Sequence, residues 1–295
     1  MRAPRPIIFG EVLFDHFPDG TRVLGGAPFN VAWHLQGLGE FPLFISAVGD
    51  DAEAQVVRRS MRDWGMDLSG LQTDPVHPTG AVRVELENGQ PRFHILDQQA
   101  YDHIDPESAV DALKGVTPGP LYHGTLILRH HAPRATLTAL ERRCPNRFVD
   151  VNLRPPWTPP VRVGEALRGA RWAKLNDEEL QQLAEDEDLT ASAEAFRSHH
   201  GLALLIITLG ERGAWLVSPQ GRLEGAPPQT VEVVDTVGAG DAFSAVALLG
   251  LMHDWAPEQL LERALAFAAA VCTLRGATTA DPEFYAPFCR DWGLA

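Results

Sequence analysis

Lysine is nearly missing from this chain: it occurs only at Lys114 and Lys174, and arginine supplies every other strongly basic side chain. With 25 Lys and Arg against 39 Asp and Glu, the formal net charge is −14, which argues against a general nucleic-acid-binding face. Cysteine is scarce as well. Cys144, Cys272 and Cys289 are scattered and odd in number, without a CxxC pair, so neither a disulfide framework nor a structural zinc is expected. No apolar run is long enough to cross a bilayer, and no basic-then-apolar leader opens the chain; a soluble, cytoplasmic protein is the expectation. GxxxxGK[ST] is absent, which excludes a P-loop enzyme, and no HRD or DFG set marks a protein kinase. GxGxxG fails too, because Phe243 stands where the third glycine belongs. A dinucleotide-binding oxidoreductase survives only as a rival that NAD(H) binding would decide.

What is present is a chain of 295 residues, 45% apolar, enough for one large α/β domain. Pro6–Gly10 reads as a buried strand, Val31, Leu35 and Leu38 as one face of a helix that Gly39 stops, Phe41–Val48 as a strand, and Asp51–Trp64 as a helix ended by Gly65. Leu202–Leu209, Ala214–Val217 and Val231–Asp235 read as strands. Two helices follow, about Ala242–His253 and Pro257–Arg275. This order predicts a mostly parallel sheet with helices on both faces. Residues Ala81 to Leu96 alternate apolar and polar around Asn88-Gly89, a hairpin signal inside the strand–helix series. Such an insertion is expected to project from the main sheet as a flap.

The richest segment is Val231–Phe243, VEVVDTVGAGDAF. A β-branched strand runs into small residues and then into an apolar helix, whose first N–H groups have no intrahelical acceptor and offer themselves to an anion. Asp241 is a carboxylate set beside that nest. Two readings are open on local chemistry: a first-turn acid after a tight turn, or a base that takes a proton from an attacking hydroxyl beside donors for a transferring phosphoryl.

DTVGAGDAF resembles the C-terminal signature of the ribokinase-like, or PfkB, carbohydrate kinases. The resemblance implies Asp241 as catalytic base and the backbone of Gly238, Ala239 and Gly240 as anion hole; downstream, Ala245-Val246 replaces the usual Ala-Gly. Gly25-Gly26-Ala27-Pro28-Phe29-Asn30, by itself a turn with an N-cap asparagine, is similar to the N-terminal signature of the same family, and Gly10–Asp15 to its first strand. Substrate hydroxyls are then expected at Asp15, Gly25, Gly26 and Asn30. Asn176–Glu179 resembles the N-x-x-E element, which places Asn176 and Glu179 at the nucleotide, with Glu179 near Mg²⁺ through water. Thr208-Leu209-Gly210-Glu211-Arg212-Gly213 is similar to the nucleotide-binding TLG-x-x-G turn, assigning Thr208, Gly210 and Gly213. Asp150–Arg154 resembles the D-x-N-x-R strand end of fructokinase-like members, with Arg154 as a clamp on the phosphoryl. Asp235 and Gly276 match the region where relatives hold K⁺.

These similarities cover nearly the whole chain. They imply an α/β, ribokinase-like three-layer sandwich, residues 1–295 as one kinase domain, and a β lid from about 12–24 and 78–102. They also imply ATP and Mg²⁺ as cofactors, with K⁺ as a further candidate, and a homodimer paired through the lid. Gly-Gly-Ala-Pro-x-Asn looks most like fructokinases, so fructose is the expected acceptor. Phe29 and the Gln98–Asp102 segment depart from that pattern and leave 2-keto-3-deoxygluconate, ribose or a nucleoside as alternatives within the family. A non-catalytic sugar or nucleotide sensor is the alternative of a different class, against which Asp241 and Arg154 count.

Overall fold

Strands that read as unbroken apolar runs must be covered on both faces, and here successive residues serve opposite sides of one sheet. Ile8, Phe44, Tyr122, Phe148 and Ile206 enter one hydrophobic cluster, while Ile7, Phe9, Ile45, Leu121, Val149, Leu205 and Ile207 enter another. The computed structural model describes residues 3–87, 90–144, 146–184, 188–228 and 232–294; the Asn88-Gly89 turn lies outside them.

The chain opens with β1 (Arg5–Phe9), β2 (Leu13–His16), β3 (Arg22–Gly25) and α1 (Ala27–Gly37). It continues through β4 (Leu43–Val48), α2 (Ala52–Asp63), β5 (Leu71–Thr73), β6 (Gly80–Glu87), β7 (Gln90–Ile95) and α3 (Pro106–Asp111). The middle holds β8 (Pro118–Gly124), α4 (His131–Glu141), β9 (Arg147–Asp150), α5 (Pro160–Leu167), β10 (Trp172–Asn176), α6 (Asp177–Leu183) and α7 (Leu189–His199). Last come β11 (Leu204–Thr208), β12 (Ala214–Ser218), β13 (Gly221–Gly225), α8 (Ala239–Met252), α9 (Pro257–Val271) and α10 (Pro282–Trp292).

Nine strands form the central sheet in the order β13-β12-β11-β10-β9-β8-β1-β4-β5, parallel from β11 to β5 and antiparallel at β12 and β13. Helices α1, α2, α8, α9 and α10 cover one face, and α3 to α7 cover the other. The result is the three-layer sandwich of the ribokinase-like fold. Chain order reverses on either side of β1, so a crevice opens at the carboxyl ends of the central strands, where open α/β sheets bind ligands. A second sheet, β3-β2-β6-β7, stands apart. Its strands end at Ile95, and the turn at Ala100–His103 is buried in the body instead.

Three expectations need correction. Residues 232–235 form no strand: Val234 and Asp235 donate their N–H groups to the Cys272 carbonyl rather than to a sheet neighbour. For the same reason α9 stops at Val271, before Arg275, and its end turns to meet that segment. Asn30 is also no cap. The N-cap of α1 is Gly26, and Asn30 sits one turn inside, its own N–H on the Gly26 carbonyl.

Candidate active site

Helix α8 is apolar almost all round, so the core takes it whole: Ala242 to Gly250 are buried without a break. That burial fixes where its N-terminus points. Gly238 caps the helix at φ 82°, a left-handed conformation that L side chains avoid, and a Cβ there would lie 2.4 Å from that of Ala277. No side chain caps α8. Among the described residues no hydrogen bond takes the N–H of Gly238 or Gly240, so these amides remain for an anion. The loop behind them is held by α1, through Trp33 Nε1 donating to the Thr279 carbonyl (2.8 Å) and His34 Nε2 beside that of Ala277 (3.0 Å).

Asp241 lies in the first turn of α8, and Asn30 Nδ2 of α1 donates to its Oδ2 at 2.8 Å. The N-terminal and C-terminal signatures therefore meet at one hydrogen bond. The Asp241 carboxyl is raised to about 6: desolvation is the main cause and Asp150 adds to it, against the lowering pull of the Asn30 bond, Lys174 and Arg154. A carboxyl raised that far changes charge close to neutral pH, the range in which a general base is most effective.

Beneath this turn lies a constellation that sequence reasoning left out. Asp150 Oδ2, at the end of β9, accepts from Lys174 Nζ of β10 (2.7 Å), Tyr122 Oη of β8 (3.0 Å) and Ser244 Oγ of α8 (2.8 Å). The Lys174 side chain is only 8% exposed, and its Nζ lies 3.8 Å from where a Cβ on Gly240 would stand. Three neighbouring strands and the helix that carries Asp241 are thus tied at one buried carboxylate. The signal was in the composition: one of the two lysines of an acidic chain falls inside an apolar strand.

Asn176 and Glu179 form a reciprocal capping box on α6, and Glu179 also accepts from the Leu153 N–H at 2.6 Å. Both carboxylate oxygens are engaged by backbone, and burial raises the carboxyl. Thr208 pairs with Asn176 at the adjacent strand end, and Gly210 (φ 61°) and Gly213 (φ 98°) make the turn into β12. None of these three bonds to the Asp241 cluster. Arg154 is exposed, with Nη1 on its neighbour Leu153's carbonyl, and reaches the acids of the site only through its field. Asp235 and Gly276 do come together: the Gly276 N–H donates to Asp235 Oδ2 at 3.0 Å.

On the other side of Asp241, Gly26 (φ 111°) lets α1 begin against the chain leaving β1, since a Cβ there would meet the Glu11 carbonyl at 2.7 Å. Gly25 ends β3 directly opposite Leu13, and Asp15 faces Val23 and Val82 in the second sheet. Burial raises the Asp15 carboxyl, with His16 and Arg154 opposing. Glu11, to which the motifs assign no role, is buried and desolvated to about 7, within the fields of Arg154, Arg129 and Asp241. Among the described residues, Glu11 Oε2 and Asn30 Oδ1 have no hydrogen-bond partner, which leaves two buried acceptors open to a ligand's donors. Arg129 is also new: it pairs bidentately with Asp102 (2.7 and 2.5 Å) between the rings of Tyr101 and Trp157.

Known proteins resemble this chain in sequence and fold. A fructokinase of Klebsiella pneumoniae is 31% identical over 297 residues, covering 93% of this chain and 95% of that one. The fold superposes on a Vibrio cholerae O395 fructokinase bound to fructose, ADP and calcium, at a TM-score of 0.81 and 26% identity over 96% of this chain and 98% of that one. It also matches an uncharacterized sugar kinase of Pyrococcus horikoshii in complex with ATP, with a TM-score of 0.78 and 25% identity over 92% and 93% of the two chains. Residues 8–283 match the profile of the pfkB family carbohydrate kinases, and the chain belongs to that family of ATP-dependent sugar kinases.

Proposed function

We propose that the chain transfers the γ-phosphoryl group of ATP to a hydroxyl of fructose, with Asp241 as the base. The observation that carries this reading is the 2.8 Å bond from Asn30 to Asp241, which joins an acceptor-side helix to a carboxylate beside open backbone amides. Asp241 takes the hydroxyl proton as the new bond to the γ-phosphorus forms and the bond to the β–γ bridging oxygen breaks, releasing ADP, while the Gly238–Gly240 backbone and the Arg154 field hold the spreading charge. Mg²⁺ held near Glu179 would supply positive charge to the phosphate oxygens. Glu179, both of whose oxygens already accept backbone N–H groups, suits it through water better than as a direct ligand. K⁺ beside Asp235 and Gly276 belongs to the same proposal.

The electrostatics favour a neutral acceptor over a keto-deoxy sugar acid. Glu11, Asp15 and Asp241 crowd the acceptor side. Arg129 is committed to Asp102, which leaves exposed Arg154 as the cation they feel without a carboxylate partner of its own. A carboxylate on the substrate would meet net repulsion. The four-stranded sheet serves as the lid: Asp15, Val23, Val82, Val84 and Phe93 share one face by register, with Val23 and Phe93 exposed at its margins. That apolar margin also supports pairing with a second copy of the chain. Three free cysteines fit a reducing, cytoplasmic setting, and no helix of the described residues is long and apolar enough to cross a membrane.

ATP consumption with Mg²⁺ and K⁺ against fructose, ribose, tagatose, 2-keto-3-deoxygluconate and a nucleoside tests the reading. Turnover is expected with fructose; exclusive turnover of the sugar acid would overturn the acceptor, and no ATP binding would overturn the activity. The pH profile is a second check. Because the base must be ionised and its carboxyl is lifted to about 6, kcat/KM for fructose is expected to fall as pH drops through about 6, not through the ordinary aspartate range.

A further inference from the structure

Away from the crevice, the link from β5 to β6 carries Asp74 and His77, and the buried turn after β7 ends at His103. The Ala100 N–H donates to the Pro78 carbonyl at 2.8 Å and holds these segments together. One ligand atom from each of Asp74, His77 and His103 falls within 4.8 Å of the others. Asp74 Oδ1 accepts the N–H groups of Val76 and His77, which turns Oδ2 toward His77 Nδ1 at 2.8 Å. Gln98 Oε1 lies 3.2 Å from His103 Nε2 and leaves Nδ1 of that ring for another partner. The two imidazoles are stacked, 3.5 Å between centroids and 4° from parallel.

We propose that Asp74, His77 and His103 form a binding site for a divalent transition-metal ion of the zinc class. Two imidazoles and one carboxylate suit Zn²⁺, Co²⁺ or Ni²⁺, not the hard, oxygen-seeking Mg²⁺ that accompanies ATP. The burial is intermediate at all three residues. An open cavity of about 490 Å³, lined by Asp74 and His103 but not by His77, gives an entry path to two of the three side chains. Asp97, Asp102 and His130 also gather within 4.8 Å, but there Asp102 already holds the Arg129 guanidinium. No arginine or lysine pairs with Asp74 among the described residues. Coordination requires one ring to turn out of the stack so that its lone pair meets the ion, and Gln98 supplies the outer contact that orients His103.

The test is a Co²⁺ titration of the untagged, nucleotide-free protein, followed by visible d–d absorption. One ion per chain with imidazole ligation, displaced by Zn²⁺, is expected. His103→Gln should weaken it about tenfold or more, and Gln98→Ala about tenfold. A silent titration, or a spectrum unchanged by His103→Gln, overturns the site. Nitrogen chemical shifts of the histidines in the unmodified protein give the same answer without a variant: His77 and His103 move on adding Zn²⁺, or the proposal fails.

Discussion

Asp241→Asn is expected to lower kcat with fructose by about 10²–10⁴-fold, the range for losing a positioned general base. The substitution keeps shape and can keep the bond from Asn30, whose amide would then face the carbonyl oxygen of the new side chain. Stability should move the other way. A carboxyl raised from 3.8 to about 6 binds its proton more tightly in the folded chain. Its ionised form therefore costs stability above about pH 6, and the cost disappears below the unfolded value. Melting at pH 8 should thus be unchanged or higher for the variant, while at pH 3 the two proteins converge. Full turnover in the variant would remove Asp241 as base. A collapse of melting temperature at pH 8 would say instead that the carboxylate holds the fold.

Lys174→Met carries the second large effect. It strips the cation from Asp150 and leaves that carboxylate buried with only the Tyr122 and Ser244 hydroxyls. Breaking one side of a buried pair typically costs about 3–5 kcal/mol. The double variant Lys174→Met/Asp150→Asn removes both charges and should recover most of that stability. Catalysis separates the roles. Lys174 holds the Asp241 carboxyl down while Asp150 pushes it up, so the single Lys174 variant should shift the acid limb of the pH–rate profile upward. Removing both charges should bring that limb back toward its original position. Denaturant melts and pH–rate profiles on the three proteins decide this; a single variant as stable as the parent would mean that the pair contributes nothing.

Much of the crevice could be read from the sequence because each segment there carries its own local chemistry. Gly238 to Asp241 announce a helix start, and the resemblance of Asn176–Glu179 to the N-x-x-E element picks out a pair that the structure shows as a capping box. The D-x-N-x-R segment put Asp150 at a strand end, but not its partners. Those come from β8 and β10 lying on either side of β9 and from a serine one turn into α8, adjacencies that only the sheet order creates. Glu11 carries no local signal because it sits in an apolar run, and only the fields of Arg154 and Arg129, from distant turns, and of Asp241 give it surroundings. Residues 232–235 failed for the opposite reason. Their β-branched pattern fits a strand, yet strand formation needs a partner edge, and α9 ends in time for the Cys272 carbonyl to take those amides.

The hydrogen bond between Asn30 and Asp241 spans 211 residues, and its origin lies in β1, which the chain makes first and then encloses between β4 and β8. A chain leaving the ribosome carries Asn30 long before Asp241 exists to meet it. Until α8 and α9 emerge, the sheet face carrying Ile8, Phe44, Tyr122 and Phe148 has no helices from that half to cover it. A product truncated before Gly238 would be not a weak sugar-binding protein but an unfinished apolar surface, a client for chaperones and proteases. Synthesis of this enzyme is therefore all-or-none at its last fifth, and premature stops there should read as missing protein rather than as inactive protein.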